Sequence, residues 1–168
     1  LVNQPSLNQV LRPFSGKIRV GLEYILKQTG PLSMSVNQGG GFVKSDASLK
    51  VPDLQLYFSP LSYSVAPHRK RPMMSPDPFA AVRLGFNPCK STSEGSVEIK
   101  SKDAFIAPKF FGNYLSTDYD LQMMIKGMRL MRKFIQAPAL KAVVTKEYSP
   151  GESVQSEGEM IAFARENA

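Results

Sequence analysis

Side chains that carry chemistry are scarce in this chain: 168 residues include one cysteine and one histidine. A lone Cys89 excludes an internal disulfide, so nothing points to an oxidising compartment. As a single thiol it reads as a small buried apolar residue rather than a nucleophile. A lone His68 excludes a histidine cluster for metal, and a zinc site built on Cys89 and His68 would need several carboxylates besides. No Ser-His-Asp set assembles, because His68 lies in a proline-rich stretch and no serine has the surroundings of a nucleophile elbow. There is no GxGxxG after a strand, no P-loop and no HExxH. No apolar run approaches the roughly 20 residues that span a bilayer, and no secretory leader opens the sequence. These absences describe a cytoplasmic, soluble domain, with a membrane-peripheral position of a larger parent left open.

What is present is ordinary in amount, 42% hydrophobic and 21% charged residues, and the length is that of one domain able to bury a core. The net charge of +7 invites a nucleic-acid partner. The basic residues are spread from Arg12 to Arg165, however, and the one dense group, His68 to Arg71, falls in a loop rich in proline and methionine. A solvated loop explains it better than a phosphate patch, and no nucleic acid is expected as a partner.

Periodicity organises the chain around residues 39–63, which read as two strands with a polar connection. Over residues 53–59, Leu54, Leu56 and Phe58 fall on one face, while Gln55, Tyr57 and Ser59 fall on the other. The first face is core; the second is either a wet surface or the ceiling of a pocket. Gly39, Gly40 and Gly41 run into Phe42 and Val43 as strand, not into a helix, so they mark a bulge or a close backbone approach and not a phosphate cradle.

Residues 1–15 show no sustained period and are expected to run over the surface. Residues 17–28 read as a helix whose apolar face, Ile18, Leu22, Ile25 and Leu26, is a packing element, stopped by Gly30 and Pro31. Four prolines in residues 64–79 predict an irregular loop, either a lid or a disordered excursion. Residues 80–87 predict a strand with Val82, Leu84 and Phe86 on one face and Arg83, Gly85 and Asn87 on the other. It should pair antiparallel with a strand at 96–101 that carries Val97 and Ile99 inward. Residues 107–114 read as an extended segment broken by Pro108 and Gly112.

A strong helix should start after Ser116 and Thr117, with Asp118 and Asp120 in its first turn, and end near Gln136. Leu121, Met124, Ile125, Met128, Met131 and Ile135 make its apolar stripe, with Lys126, Arg129, Arg132 and Lys133 outside. A further strand is expected at 143–148. A last helix follows, with Ser156 and Glu159 at capping-box spacing. The start at Leu1 and the uncapped stop at Ala168 are those expected of a piece cut from a longer chain.

Several segments together resemble the substrate-binding domain of the glucose-methanol-choline (GMC) oxidoreductases, the choline dehydrogenase-like branch in particular. They are GPLSMSVNQGGGFV at 30–43, PDLQLYF at 52–58, GSVEIKSKD at 95–103, APKFFGNYLSTDYDLQMMIKGMRLMRK at 107–133 and QAPAL at 136–140. The resemblance implies an α+β fold with a mostly antiparallel sheet of about six strands, helices packed on one face and the other face roofing a flavin. It implies a parent that transfers hydride from an alcohol to FAD. Residues 1–168 would be its substrate-binding domain, without the FAD-binding domain or the C-terminal catalytic segment. Where many relatives have Arg-Pro-x-Ser-Arg-Gly, this chain has Asn87-Pro88-Cys89-Lys90-Ser91-Thr92-Ser93-Glu94-Gly95, with Glu94 in the second arginine's place, so no role carries over from that arginine.

Within that frame Tyr57, Ser59, Tyr63, Asn87, Asn37 and Gln38 are the candidate substrate-binding residues, acting by contact and exclusion of water. No catalytic, cofactor-binding or metal residue is assigned. The chain alone is expected to hold no FAD, to be inactive and to self-associate through surface that the parent's FAD domain covers. The alternative is a stand-alone α+β binding module for a small ligand or an acidic partner.

Overall fold

The computed structural model describes residues 1–65 and 74–167, so the basic run at 68–71 lies outside the described residues. In chain order the elements are helices α1 (Leu7–Leu11) and α2 (Phe14–Lys27), a 3-10 turn at Pro31–Ser33, then strands β1 (Gly39–Val43), β2 (Leu54–Ser59), β3 (Tyr63–Val65), β4 (Met74–Pro76), β5 (Arg83–Pro88), β6 (Ser96–Glu98) and β7 (Lys109–Phe111). Helices α3 (Asp118–Ile135), α4 (Pro138–Lys141) and α5 (Glu157–Asn167) follow.

The fold is α+β with antiparallel strands, but among the described residues no sheet approaches six strands. The described strands form one three-stranded sheet, ordered β1-β2-β5, and two separate two-stranded ribbons, β3-β4 and β6-β7. The expected pairing of β5 with β6 does not occur, because β5 is taken by β2 while β6 pairs with β7. Val97 and Ile99 accordingly face outward, Ile99 at 90% exposure, since none of the described residues covers them behind this small ribbon. The loop expected at 64–79 contributes two short strands, and the strand expected at 143–148 is reduced to one bridge, Val144 with Val2. Among the described residues its bridge partner is the N-terminal segment, too short to make a sheet. That segment is not featureless either: Ser6 and Gln9 form a capping box that starts α1.

Helix α3 is the backbone of the core. Thr117 caps it, its Oγ1 accepting from the Asp120 N–H at 3.3 Å, and Asp118 and Asp120 at one end and Arg132 and Lys133 at the other suit the macrodipole. Ile125 and Met128 are buried with Met160 and Ala164 of α5, and Phe86 of β5 packs against the same cluster. A side chain at Gly127 would run into the Phe86 ring, so glycine there lets the helix close on β5. Arg132 departs from the expected outer position. Its guanidinium makes a two-pronged ion pair with Glu147, at 2.9 and 2.8 Å, and donates to the Gly151 carbonyl at 3.1 Å, tying the 147–151 turn to α3. Helix α5 opens on the expected capping box, Glu159 Oε2 accepting from Ser156 N–H at 2.9 Å.

Helix α2 forms where expected but is turned the other way. Val20 is its one buried hydrophobic residue, and a Cβ at Gly16 would run into the Val10 carbonyl, so the helix leans on α1 through small residues. Its apolar stripe faces out, Ile25 and Leu26 at 74% and 76% exposure. Cys89 is also exposed, not buried, because it lies just past the end of β5 with only its backbone engaged, its N–H donating to the Asp53 carbonyl at 2.8 Å.

Candidate functional site

Antiparallel register assigns the two faces of the main sheet. Leu54, Leu56 and Phe58 stand opposite Pro88, Phe86 and Leu84, and from this face Phe86 packs against the core cluster of α3 and α5. On the other face Gln55 lies between Phe42 and Asn87, Tyr57 between Gly40 and Gly85, and Ser59 beside Arg83. The central row is therefore a single tyrosine flanked by two residues without side chains. A Cβ at Gly85 would collide with the Tyr57 ring, so that ring lies down over Gly85 and leaves a trough in the middle of the face. The trough widens into an open concavity of about 800 Å³, which Asn37, Phe42, Gln55, Tyr57, Tyr63, Arg83 and Asn87 help to line.

Loops on the far side of the sheet keep this face in register. Asp53, at the entrance to β2, accepts from Ser45 N–H at 2.7 Å and from Ser45 Oγ at 2.6 Å, which fixes the β1-β2 connection. Tyr63 is positioned from α1: Asn8, 1% exposed, accepts from Ser62 N–H at 2.9 Å and donates to Ser62 Oγ at 2.9 Å. Ser6 Oγ meanwhile accepts from the Ala81 N–H at 3.2 Å, ahead of β5. Past β5, the buried Asp120 accepts from Thr92 and Ser93 N–H at 2.8 and 2.9 Å. Burial pushes the Asp120 carboxyl up, but these hydrogen bonds from Ser93 and Thr92 outweigh it and hold the group below its ordinary value.

Of the six residues singled out by sequence, four meet at the concavity: Asn37, Tyr57, Tyr63 and Asn87. Gln38 extends the β1-β2 ladder through its N–H, which donates to the Phe58 carbonyl at 2.9 Å, and is not among the lining residues. Ser59 is 1% exposed, and its Oγ has no hydrogen-bond partner among the described residues. Phe42, Gln55 and Arg83 line the same space without having been singled out. Alternation alone puts Gln55 and Arg83 on this face; adding Phe42 requires the β1-β2 register. The Arg83 guanidinium lies over the Tyr63 ring, 5.1 Å from its centroid.

Among the described residues no group of His, Cys, Asp and Glu could hold a metal ion, and no helix is long and apolar enough to cross a membrane. For a flavin, the fit divides. Gly39 to Gly41 form strand β1 and open no helix, so they are no cradle for its phosphates. A wide, side-chain-poor trough bordered by tyrosines, neutral amides and one arginine, Arg83, does suit the cover of a planar ring.

Comparison with known proteins agrees on one family. Residues 91–168 match the model of the GMC oxidoreductase family. Over 162 residues, 96% of this chain, the sequence is 33% identical to an oxygen-dependent choline dehydrogenase of Staphylococcus xylosus, of which it covers 27%. Two solved structures share the fold. One is an Aspergillus oryzae RIB40 formate oxidase variant studied for FAD modification, with TM-score 0.72, 18% identity, and coverage of 94% of this chain and 31% of that one. The other is pyridoxine 4-oxidase from Mesorbium loti, with TM-score 0.62, 18% identity, and coverage of 76% and 24%. The chain thus spans about a quarter of the length of the curated relative it matches. The family match takes in the Asp120 clamp, α3 and α5, and the wider alignment takes in the sheet those elements hold in place; on both counts the chain belongs to the GMC oxidoreductases.

Proposed function

We propose that this chain is the substrate-binding part of an FAD-dependent oxidoreductase that acts on an alcohol. The observation that carries the proposal is the two-faced sheet: an apolar row whose Phe86 packs on α3 behind, and in front a trough built on Tyr57 between Gly40 and Gly85. FAD, when bound in the parent, accepts the hydride that leaves the alcohol carbon. The residues of this chain act by contact. Tyr57 and Tyr63 wall the space, Asn37, Gln55 and Asn87 offer amide donors and acceptors for a hydroxyl-bearing ligand, and the FAD-binding domain closing over them would keep out water. No residue here is given the proton transfer.

The partner of the chain is then its own FAD-binding domain. Two apolar surfaces are exposed that such a domain could cover: the outer stripe of α2, and the β6-β7 ribbon with Phe105, 97% exposed, and Phe110. Separated from that domain, the chain should carry no flavin and should self-associate through those surfaces.

The test is made on the full-length protein. Purified with FAD, it should lose its oxidised flavin absorbance when an alcohol substrate is added without oxygen. Gly85→Val, which drives the Tyr57 ring out of its resting place, should raise KM about tenfold or more, because a displaced wall removes several contacts at once. A full-length protein with no flavin, or with flavin that no alcohol reduces, would sink the proposal. Flavin copurifying at near-equal amount with the chain alone would sink the division of labour.

A further inference from the structure

Resting on the assignment of the sheet's polar face to substrate, we infer that Arg83 sets substrate class: the site takes an alcohol that also bears a carboxylate, a small hydroxy acid, and disfavours a quaternary ammonium alcohol. The argument starts from charge. Among the described residues lining the concavity there is no aspartate or glutamate, and Arg83 supplies the one formal charge. No ion pair to Arg83 occurs among the described residues, so its guanidinium donors are available to a ligand.

Geometry adds to this. A bound trimethylammonium group is held by the faces of aromatic rings, with a carboxylate nearby to balance its charge. Here the Tyr63 face is already taken, with Arg83 Cζ 5.1 Å from the ring centroid. A ligand cation would meet a like charge at the ring it needs. A carboxylate meets the opposite situation: the guanidinium held over the Tyr63 ring is a positive charge at the same place, and a guanidinium can grip both carboxylate oxygens.

The spacing also separates two functions along one strand. Arg83 and Asn87 are four residues apart on β5, on the same face, which is about 13 Å at roughly 3.3 Å per residue. Gln55, directly opposite Asn87, completes a neutral amide pair at the far end. A short hydroxy acid with its carboxylate at Arg83 would place its carbinol carbon over the Tyr57 row, between the two ends. The amide end remains for neutral polar contacts.

The experiment has two arms, both on the full-length flavoprotein. In the first, anaerobic flavin reduction is followed with choline and with glycolate or lactate. A hydroxy acid should be more efficient than choline by at least about tenfold. In the second, calorimetry measures binding of propionate and of tetramethylammonium, neither of which can be oxidised as an alcohol. Propionate should bind and tetramethylammonium should not. Arg83→Gln should weaken propionate about ten- to hundredfold, the range of a charge-assisted hydrogen bond, and Arg83→Lys should restore part of the loss.

Choline reducing the flavin as well as the hydroxy acids would overturn the inference, as would propionate binding that is unchanged in Arg83→Gln. If neither class of alcohol reduces the flavin, the oxidoreductase proposal fails, while the propionate arm still decides whether Arg83 is an anion site. The exposed position of Arg83 makes both variants compatible with folding, and a thermal melt of each checks that.

Discussion

Helices α2 and α3 are both amphipathic, and their apolar stripes meet opposite fates. In α3, Ile125 is fully buried among Met128, Met160 and Ala164. In α2, the stripe of Ile18, Leu22, Ile25 and Leu26 faces outward, and Val20 on the other side makes the inward contact. Periodicity records that a face is meant to be covered. It does not record by what, and the two helices differ in this alone: α3 is covered by α5 and β5 within the chain, while nothing described in the chain covers the outer face of α2.

The largest expected effect tests the covered side. Ile125→Ala removes apolar contacts from the centre of the core and should cost about 2–5 kcal/mol in urea denaturation, with a cavity left against Met128 and Met160. Ile25→Ala, the same change on the uncovered stripe, should stay within about 0.5 kcal/mol. Equal losses at the two sites would mean that the α2 stripe is packed in solution, and the contrast between the helices would fall.

A smaller effect is expected at the N-terminus of α3. Asp120→Ala strands the N–H groups of Thr92 and Ser93 beside a buried methyl and should cost about 1–3 kcal/mol. The sign of its pH dependence follows from its lowered pKa. Asp120 stabilises the fold at pH values above its unfolded pKa, near 4 by the usual aspartate value, and that contribution is lost as pH falls through the lower folded value. The wild-type melting temperature should therefore drop in acid. The variant should show a shallower drop, not a flat one, because Glu159 is also lowered, by hydrogen bonds from Ser156 and Gln155. An unchanged acid slope in Asp120→Ala would remove Asp120 from that account.

The same contrast explains what the amino-acid sequence disclosed. Where an element is stabilised by its own period and by neighbours close in the chain, it was legible: α3 with its Thr117 cap, α5 with Ser156 and Glu159, and the alternation of β2. Where an element depends on a remote partner, its existence or facing was not. Among the described residues, 143–148 have β-like composition but bridge only to the N-terminal segment, and Val97 and Ile99 lie exposed along a two-stranded ribbon. The site divides in the same way. Tyr57 and Asn87 follow from strand alternation, whereas the role of Gly85 as a bed for the Tyr57 ring requires knowing that β5 pairs with β2. Arg83 was visible on the polar face, but a charge on a strand is usually a solvated one, and only its position over the Tyr63 ring at a concavity gives it a specific place.

The smallest change in stability should come with a change in assembly. Leu22→Glu with Ile25→Glu puts two carboxylates on the exposed stripe of α2, one turn apart. Because both side chains are already exposed, the urea midpoint of the chain should move by no more than about 0.5 kcal/mol equivalent. Glutamate is the informative choice. The chain carries +7, so added negative charge lowers the net charge and weakens the repulsion between copies, which by itself would favour association. If light scattering nevertheless shows less self-association, loss of apolar contact is the cause. In the full-length protein the same pair should lower the melting temperature, since there the stripe would lie against the FAD-binding domain and the carboxylates would be buried without partners. A full-length protein indifferent to the double change would show that α2 faces water throughout, and that its likeness to α3 ends at the pattern of its sequence.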